Sequence, residues 1–215
     1  MAPETTTTNG QVSSKKGSSI AERVEFLGQY LRNPCSIGSL TPSSNDLTDA
    51  MLQDLDLKNA RLIVELGPGT GPVTRKILER MGKQTSLVCF EINQDICARL
   101  QDDLIDSRAL IVNKSALEMP ACLRMWAYGK ADYVISGLPL KSINQREEVL
   151  DAVVDSLAPR GVFVQFQYNL PFLTGPVEEL LARHFLSFEK RQVYWNLPPA
   201  TVYTCGIPFH PPSAS

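Results

Sequence analysis

The segment Glu65-Leu66-Gly67-Pro68-Gly69-Thr70-Gly71 decides the fold of this chain. It follows the apolar run Leu62-Ile63-Val64 and precedes a helical pattern from Pro72 to Met81. A strand, a glycine-rich turn and a helix in this order form a nucleotide-type cofactor site, because glycines allow a tight turn and a close approach of the backbone to a ligand. The segment therefore predicts an α/β domain with a cofactor at its first turn.

The acidic residue at the end of this strand indicates which cofactor the turn binds. Glu65 lies beneath the glycine turn and places a fixed negative charge beside the ligand. A carboxylate repels a pyrophosphate but suits a cationic amino-acid group. This favours S-adenosylmethionine over NAD or ATP, with Gly67, Gly69 and Gly71 as its backbone contacts. Methyl transfer is therefore the leading functional hypothesis.

Length and composition indicate one domain and exclude several functions. The 215 residues, 43% of them hydrophobic, are enough for one α/β core with short appendages. The net charge of −2 lacks the basic footprint of a nucleic-acid binder. No apolar run approaches the roughly 20 residues of a membrane span, and the polar N-terminus has no signal-peptide core. We therefore expect a cytoplasmic protein without a nucleic-acid partner.

The five cysteines are expected to be reduced core residues. None of them has C-x-x-C spacing, and several lie within apolar runs. This pattern fits small buried side chains better than metal ligands or a disulfide framework. We therefore predict no metal site.

Hydrophobic periodicity divides the chain into alternating strands and helices. This alternation predicts a parallel sheet with helices on both faces, closed by an antiparallel C-terminal hairpin. It is the Rossmann-like, seven-stranded, mostly parallel plan of many methyltransferases. The predicted strands cover 61–66, 86–91, 109–112, 133–136, 162–167, 186–195 and 201–205, and the predicted helices cover 20–31, 43–57, 72–82, a segment ending at Leu104, 144–157 and 177–183.

The same pattern predicts how the chain is organised into segments. Residues 1–18 are expected to be a disordered tail, and residues 208–215 a loose one. Between them, residues 19–57 supply N-terminal helices and a lid over the acceptor site, and residues 58–207 form the cofactor-binding domain.

Cofactors in such sheets lie outside the carboxyl ends of the strands. The second strand ends at Glu91, 20 residues after Gly71, which is the spacing expected of a carboxylate that accepts hydrogen bonds from ribose hydroxyls. An ordinary surface glutamate is the alternative. Ile92 beside it is included among the predicted cofactor contacts. After the third strand, Ser115 is the candidate acceptor for the adenine amine, with Ala116 next to it; a simple loop serine is the alternative.

The fourth and fifth strands end in the candidate acceptor region. Ser136, Gly137 and Leu138 begin an irregular turn whose carbonyls we expect to face the methyl-transfer point, with Ser136 also touching the cofactor. Tyr168 is expected to face the acceptor, because aromatic rings bind methylated, permanently charged amines. A plain turn and a core-packing tyrosine are the alternatives. No general base is evident, but displacement at a sulfonium mainly needs alignment and a neutral amine.

Several segments together resemble one family. They are Gly38-Ser39-Leu40-Thr41-Pro42-Ser43-Ser44, the glycine turn, Ser136-Gly137-Leu138-Pro139-Leu140, Val164-Gln165-Phe166-Gln167-Tyr168 and Asn196-Leu197-Pro198-Pro199-Ala200. This set resembles the bacterial phospholipid N-methyltransferases over most of the domain. The glycine turn alone specifies only the methyltransferase superfamily.

The resemblance implies an activity and a set of cofactor contacts. It implies a peripheral enzyme that methylates phosphatidylethanolamine and its mono- and dimethyl forms toward phosphatidylcholine. Glu65, Gly67, Gly69 and Glu91 would then hold S-adenosylmethionine, and the Gly-Ser-x-x-Pro segment adds Ser39 to the predicted contacts.

Two features depart from the family's pattern. The family often has Gly-Asp-Ala after the third strand, where this chain has Lys114-Ser115-Ala116, so the usual aspartate contact is replaced by Ser115. The N-terminal helix that the family attaches to membranes is poor in positive charge here. Attachment of residues 19–32 to the inner face of the membrane would therefore rest on their apolar stripe. Packing of that stripe on the domain is the alternative.

Three other functions fit parts of the pattern. A nucleic-acid adenine methyltransferase grips a flipped base with Asn or Asp, then Pro, then an aromatic residue at strand four, where the residues here are Ser136 and Leu140. A methyltransferase for another small amine or amino lipid also fits, because acceptor selection lies in variable loops. A non-catalytic module that binds S-adenosylmethionine or lipid is the third alternative, because the glycine turn indicates binding rather than turnover.

Overall fold

The computed structural model describes residues 43–169, 177–196 and 198–208. Ser39, the predicted helix over 20–31 and the predicted tail over 1–18 lie outside these ranges. The strands are β1 (Leu62–Leu66), β2 (Ser86–Phe90), β3 (Ala109–Val112), β4 (Ala131–Ser136), β5 (Leu157–Tyr168), β6 (Phe185–Val193) and β7 (Ala200–Pro208). The helices are α1 (Ser43–Leu52), α2 (Pro72–Arg80), α3 (Gln94–Asp103), a 3-10 helix (Ala116–Glu118), α4 (Met119–Met125), α5 (Arg146–Ser156) and α6 (Val177–His184).

The seven strands form one sheet in the order β3-β2-β1-β4-β5-β7-β6. Neighbours from β3 to β5 are parallel, whereas β7 is antiparallel to both β5 and β6. The predicted Rossmann-like sheet with an antiparallel hairpin is therefore confirmed. Because β6 runs in the same direction as β1 to β5, the turn between β6 and β7 lies at the same edge as the ends of those strands. We call this edge the carboxyl edge and the opposite one the amino edge.

Two layers of apolar side chains hold helices on both faces of the sheet. In β1, Leu62, Val64 and Leu66 face the layer that includes α4, α5 and α6. Ile63 faces the layer that includes α1, α2 and α3. This alternation is the period-two pattern of a strand that is covered on both sides. It sends the neighbouring Glu65 toward the α1–α3 face.

The structure contains two elements that the sequence did not predict. The 3-10 helix and α4 lie between β3 and β4, where no helix was predicted. Pro120 makes this segment look like a loop, but it occupies the first turn of α4, where its missing N–H leaves no hydrogen bond unmade.

Several predicted element boundaries were also wrong. The first described helix ends at Leu52 rather than Leu57, and the Asp56 N–H that follows it donates to the Tyr133 hydroxyl at 3.1 Å. Helix α5 begins at Arg146 instead of 144. β5 begins at Leu157 instead of 162, with an irregular register beside Ala131 and Tyr133.

The burial of the described cysteines and the length of the described helices can be compared with the sequence predictions. Cys89, Cys97, Cys122 and Cys205 are buried and unpaired, as predicted. Across the described ranges, the helices are too short or too polar to cross a membrane.

Candidate active site

The glycine turn leaves β1 at the carboxyl edge and enters α2. Gly67, Gly69 and Gly71 have φ angles of 68°, 58° and 83°. Left-handed backbone of this kind costs other residues about 1–2 kcal/mol each. The Gly67 N–H donates to the Phe90 carbonyl at 2.9 Å, and the Gly71 N–H donates to the Pro68 carbonyl at 3.0 Å. The first bond holds the turn against the end of β2, and the second lies within the turn.

The three glycines differ in what surrounds them. A β-carbon at Gly67 would lie 2.8 Å from Leu138 Cδ2, and one at Gly71 would lie 2.5 Å from Leu100 Cδ1. A β-carbon at Gly69 would meet no heavy atom of the described residues within 4 Å. Gly67 and Gly71 are therefore packed closely against leucine side chains, whereas the described residues leave open space beside Gly69, outside the strand ends. This space is where the sequence places the cofactor.

Glu65 is a buried carboxyl group in β1, just before the glycine turn. Burial raises the pKa of Glu65 from its ordinary 4.5 to about 7, and the charge of Glu91 adds to this effect, while the neighbouring Thr74 hydroxyl and Cys89 thiol oppose it. The Cys89 thiol donates to Glu65 Oε2 at 3.5 Å. In the described part of the chain, no lysine or arginine pairs with this carboxylate. Such a site is electrostatically incomplete, and a cationic ligand such as S-adenosylmethionine complements it.

Glu91 lies against the glycine turn. Its Oε2 accepts a hydrogen bond from the Gly69 N–H at 3.3 Å, and its Oε1 accepts one from the Asn93 N–H at 2.9 Å. The next residue, Ile92, is 74% exposed at the same edge. The structure thus brings Gly69 and Glu91 into contact, with Ile92 as the next residue along the chain, and their contacts with the cofactor stay predictions.

Asn113 is a site residue that the sequence analysis missed. Its Nδ2 donates to the carbonyls of Glu91 and Ile92 at 2.9 and 3.0 Å. These bonds fix the loop after β2 from the end of β3. The available signal was a side-chain amide directly after a strand, at the edge where the loops of the site meet.

Ser115 has a structural role that the sequence also allows. Its Oγ accepts a hydrogen bond from the Leu117 N–H at 3.3 Å, and its own N–H donates to Glu118 Oε2 at 2.9 Å. This is a capping box that begins the 3-10 helix, with Ala116 as the first helical residue. The cap uses one of the two lone pairs of the hydroxyl oxygen. The adenine contact by Ser115 stays a prediction.

The loop after β4 is pressed against the glycine turn. The Gly137 N–H donates to the Leu66 carbonyl at 2.8 Å, and a β-carbon at Gly137 would lie 2.9 Å from the Gly67 carbonyl oxygen. Ser136 is fully buried, and its Oγ accepts a hydrogen bond from the Leu138 N–H at 3.2 Å. The predicted cofactor loop and the predicted acceptor loop are therefore in direct contact.

Two buried glutamines from β5 hold this loop, and the sequence analysis did not single them out as site residues. Gln165 Nε2 donates to the Leu138 carbonyl at 2.9 Å, and Gln167 Nε2 lies 3.4 Å from the same oxygen. Their signal was two amides, two residues apart, in an otherwise apolar strand. Tyr168 ends the strand half-buried, and its ring packs edge-on against Phe166 at a centroid distance of 5.2 Å.

The close approach of the two loops gives a stability prediction. Gly137→Ala is expected to lower the free energy of unfolding by about 1–3 kcal/mol, because the new methyl group meets a backbone oxygen that has no room to move. Gly206→Ala is the matched control, since the nearest described atom to its β-carbon would be Ser187 Oγ at 3.7 Å, an ordinary contact distance. Urea denaturation of both variants measures the difference. Equal stability of the two variants would contradict the contact between the loops.

Sequence comparisons give two kinds of relatives. The family model described as ribosomal RNA adenine dimethylase matches residues 42–137. The ornithine lipid N-methyltransferase of Singulisphaera acidiphila is 33% identical over 189 residues, which cover 84% of this chain and 93% of that protein. The ribosomal RNA small subunit methyltransferase A of Variovorax paradoxus is 29% identical over 98 residues, which cover 44% of this chain and 37% of that protein.

Structure comparison supports the fold. The crystal structure of an O-methyltransferase from Bacillus cereus in complex with SAH has a TM-score of 0.63 at 14% identity, covering 90% of this chain and 93% of that one. At this identity the likeness concerns the fold alone. The geometry of the glycine turn, this fold and the near full-length relative agree. The chain is a class I, Rossmann-like, S-adenosylmethionine-dependent methyltransferase, and it belongs to the family of the ornithine lipid N-methyltransferase.

Proposed function

We propose that this enzyme transfers methyl groups from S-adenosylmethionine to the amine of a membrane-lipid headgroup. The observation that carries the proposal is the extent of the lipid-modifying relative, whose alignment covers 84% of this chain. The ribosomal RNA family match ends at Gly137. It therefore does not include Leu138, Tyr168 or the rest of the chain that follows. Phosphatidylethanolamine with its mono- and dimethyl forms is the first candidate acceptor, and ornithine lipid is the second.

The loop after β4 argues against a nucleic-acid base as the acceptor. A base methyltransferase needs a side-chain amide or carboxylate and an aromatic ring at this loop. Here Ser136 and Leu140 are both fully buried, and Leu140 packs in the core beside α4 and α5. The loop therefore presents neither group to a flipped base. The net charge of −2 also gives no general attraction to RNA.

The residues of the carboxyl edge have distinct roles in this proposal. Bound S-adenosylmethionine supplies an electrophilic methyl group on a sulfonium. Glu65 complements its positive charge, and Glu91 accepts hydrogen bonds from its ribose. The proposed contacts with the rest of the cofactor are made by Ser39, Gly67, Gly69, Gly71, Ile92, Ser115, Ala116 and Ser136.

The acceptor side of the site is the loop after β4 together with Tyr168. Gln165 and Gln167 hold the Leu138 carbonyl, so Ser136, Gly137 and Leu138 keep one conformation. Fixed geometry is what a direct displacement requires, because the amine has to lie in line with the methyl group. The ring of Tyr168 gives a product with added methyl groups a face on which a permanent cation binds.

A panel of acceptors tests this proposal. The protein is incubated with methyl-labelled S-adenosylmethionine and, separately, with vesicles of each candidate lipid, with RNA and with water-soluble amines. Label is expected in the lipid fraction. A Glu65→Gln variant, which is expected to bind the cofactor much more weakly, gives a low-activity reference. Label that appears only in RNA or in water-soluble amines would refute the lipid proposal.

A further inference from the structure

The tip of the β6–β7 hairpin places two exposed aromatic side chains at the carboxyl edge. Tyr194 is 74% exposed and Trp195 is 87% exposed. Val193, the last residue of β6, pairs with Ala200, and Ala200 also pairs with Tyr168 at the end of β5. This register brings the tip to the same edge as the glycine turn and the acceptor loop.

Hydrogen bonds brace described residues that follow Tyr194 and Trp195 in the chain, although the two aromatic side chains are exposed. The Asn169 N–H donates to the Pro199 carbonyl at 2.7 Å, and the Thr201 hydroxyl donates to Asn169 Oδ1 at 2.9 Å. Asn196 is buried, and its Nδ2 donates to the Pro198 carbonyl at 2.7 Å. The two rings are therefore exposed to solvent next to a hydrogen-bonded segment. Folding of the domain does not account for this arrangement, because large aromatic side chains favour burial.

The residue types at this edge indicate what covers them. Among the exposed large apolar side chains of the described residues, Tyr194 and Trp195 are aromatic, whereas Ile92 at the same edge and Ile105, Met125 and Leu186 at the amino edge are aliphatic. Tryptophan and tyrosine are enriched at membrane–water interfaces, because each has an apolar ring and a polar group that bonds to headgroups or water.

We propose that the aromatic tip formed by Tyr194 and Trp195 docks on the lipid bilayer and turns the carboxyl edge toward it. This inference rests on the proposed function, because an amine in a lipid headgroup lies at the bilayer surface. Neighbouring strands are about 5 Å apart, so β7 lies only roughly 10 Å from the end of β4 along the sheet. A bilayer in contact with the tip therefore presents headgroups to the acceptor loop.

The charged residues near the tip indicate whether it binds an anionic or a zwitterionic lipid surface. Lys190 pairs with Glu178 at 3.1 Å, and Arg191 pairs with Asp54 at 2.9 Å. These cations are already neutralised by their partners, so the tip offers little attraction to an anionic surface. Docking is therefore expected on zwitterionic vesicles of phosphatidylcholine and phosphatidylethanolamine, with little dependence on salt.

The two tryptophans of the chain allow a direct measurement. Trp126 stacks on Phe90 at a centroid distance of 6.3 Å, and Trp126→Phe leaves Trp195 as the single reporter in the full chain. Adding zwitterionic vesicles is expected to shift Trp195 emission to the blue, and brominated acyl chains are expected to quench it. Unchanged emission, with vesicles to which the protein still sediments, would place the contact elsewhere and overturn the proposal.

A second measurement separates docking from catalysis. The double variant Tyr194→Ala, Trp195→Ala is expected to lose about tenfold or more in vesicle binding. Its activity on acceptor lipid dispersed in detergent is expected to stay unchanged. The matched control is Leu186→Ala. It removes an exposed apolar side chain at the opposite end of β6, at the amino edge, and is expected to bind vesicles normally.

Other results of these experiments would also distinguish membrane docking by the tip from its alternatives. Equal loss of binding in the control variant, or a dimer that the double variant converts to a monomer in ultracentrifugation, would overturn membrane docking by the tip. If Trp195 enters the bilayer but no lipid amine is methylated, docking stands and the proposed function fails.

Discussion

Replacing Glu65 with glutamine is expected to weaken S-adenosylmethionine binding about a hundredfold and to stabilise the unliganded protein at neutral pH. Raising the pKa of a buried carboxyl from 4.5 to about 7 corresponds to about 3 kcal/mol against its charged form. A cationic ligand supplies the missing partner charge, so the glutamine variant loses a similar amount of binding free energy. Without the ligand, the same variant no longer buries an unpaired charge.

The pH dependence of stability follows from the direction of this shift. The unfolded chain releases the Glu65 proton near pH 4.5, while the folded protein keeps it until about pH 7, because burial raises the pKa of this carboxyl. The unliganded wild-type protein therefore loses stability as the pH rises from 4.5 to 7, and the loss stays constant above that range. The variant lacks this loss, so its stability advantage is absent at low pH and grows to about 3 kcal/mol near pH 8.

Calorimetry and thermal denaturation over this pH range check both effects. Wild-type affinity is expected to rise toward pH 7, because the ligand binds the ionised carboxylate and releases its proton. Glu79→Gln is the control, since Glu79 lies on the exposed face of α2 beside Lys76. A glutamine variant of Glu65 with unchanged affinity would show that this carboxylate does not face the cofactor.

Replacing Gly69 with alanine is expected to reduce cofactor affinity at least tenfold while costing the fold only about 1–2 kcal/mol. Its φ of 58° explains the folding cost, because alanine adopts left-handed backbone unfavourably. The larger effect comes from position, since the new methyl group projects into the open space beside Glu91. In the proposed site this space holds the cofactor.

Gly129 provides a matched control for this substitution. It has a φ of 78°, and a β-carbon there would also meet no atom of the described residues within 4 Å, but it lies between α4 and β4 at the amino edge. Gly129→Ala should therefore lose the same stability and keep full affinity. Denaturation and calorimetry on the pair separate backbone cost from ligand clash. Equal affinity of the two variants would mean that the cofactor lies away from Gly69.

The sheet and the glycine turn were predictable because their signals are local. The apolar run before Glu65, the glycines after it and the alternation of strands and helices each follow from short-range rules. The hairpin direction was equally visible, since two strands joined by a short turn pair antiparallel.

What the sequence did not predict depends on contacts between distant segments. Gln165 in β5 donates a hydrogen bond to the Leu138 carbonyl in the loop after the neighbouring strand β4. Asn113 after β3 donates to the carbonyls of Glu91 and Ile92 after β2. Sequence spacing carries no signal for such pairs. Ser115 illustrates the opposite difficulty, because a serine after a strand fits both an adenine contact and the helix cap that it forms here.

The most direct test of the account follows the methyl group to its final atom. The enzyme is incubated with S-adenosylmethionine that carries a deuterated methyl group and with vesicles that contain phosphatidylethanolamine or ornithine lipid. The lipids are then analysed by fragmentation in a mass spectrometer. Deuterated methyl groups are expected on the headgroup nitrogen. Deuterium on a base of added RNA, on an oxygen atom, or on no lipid at all would contradict it.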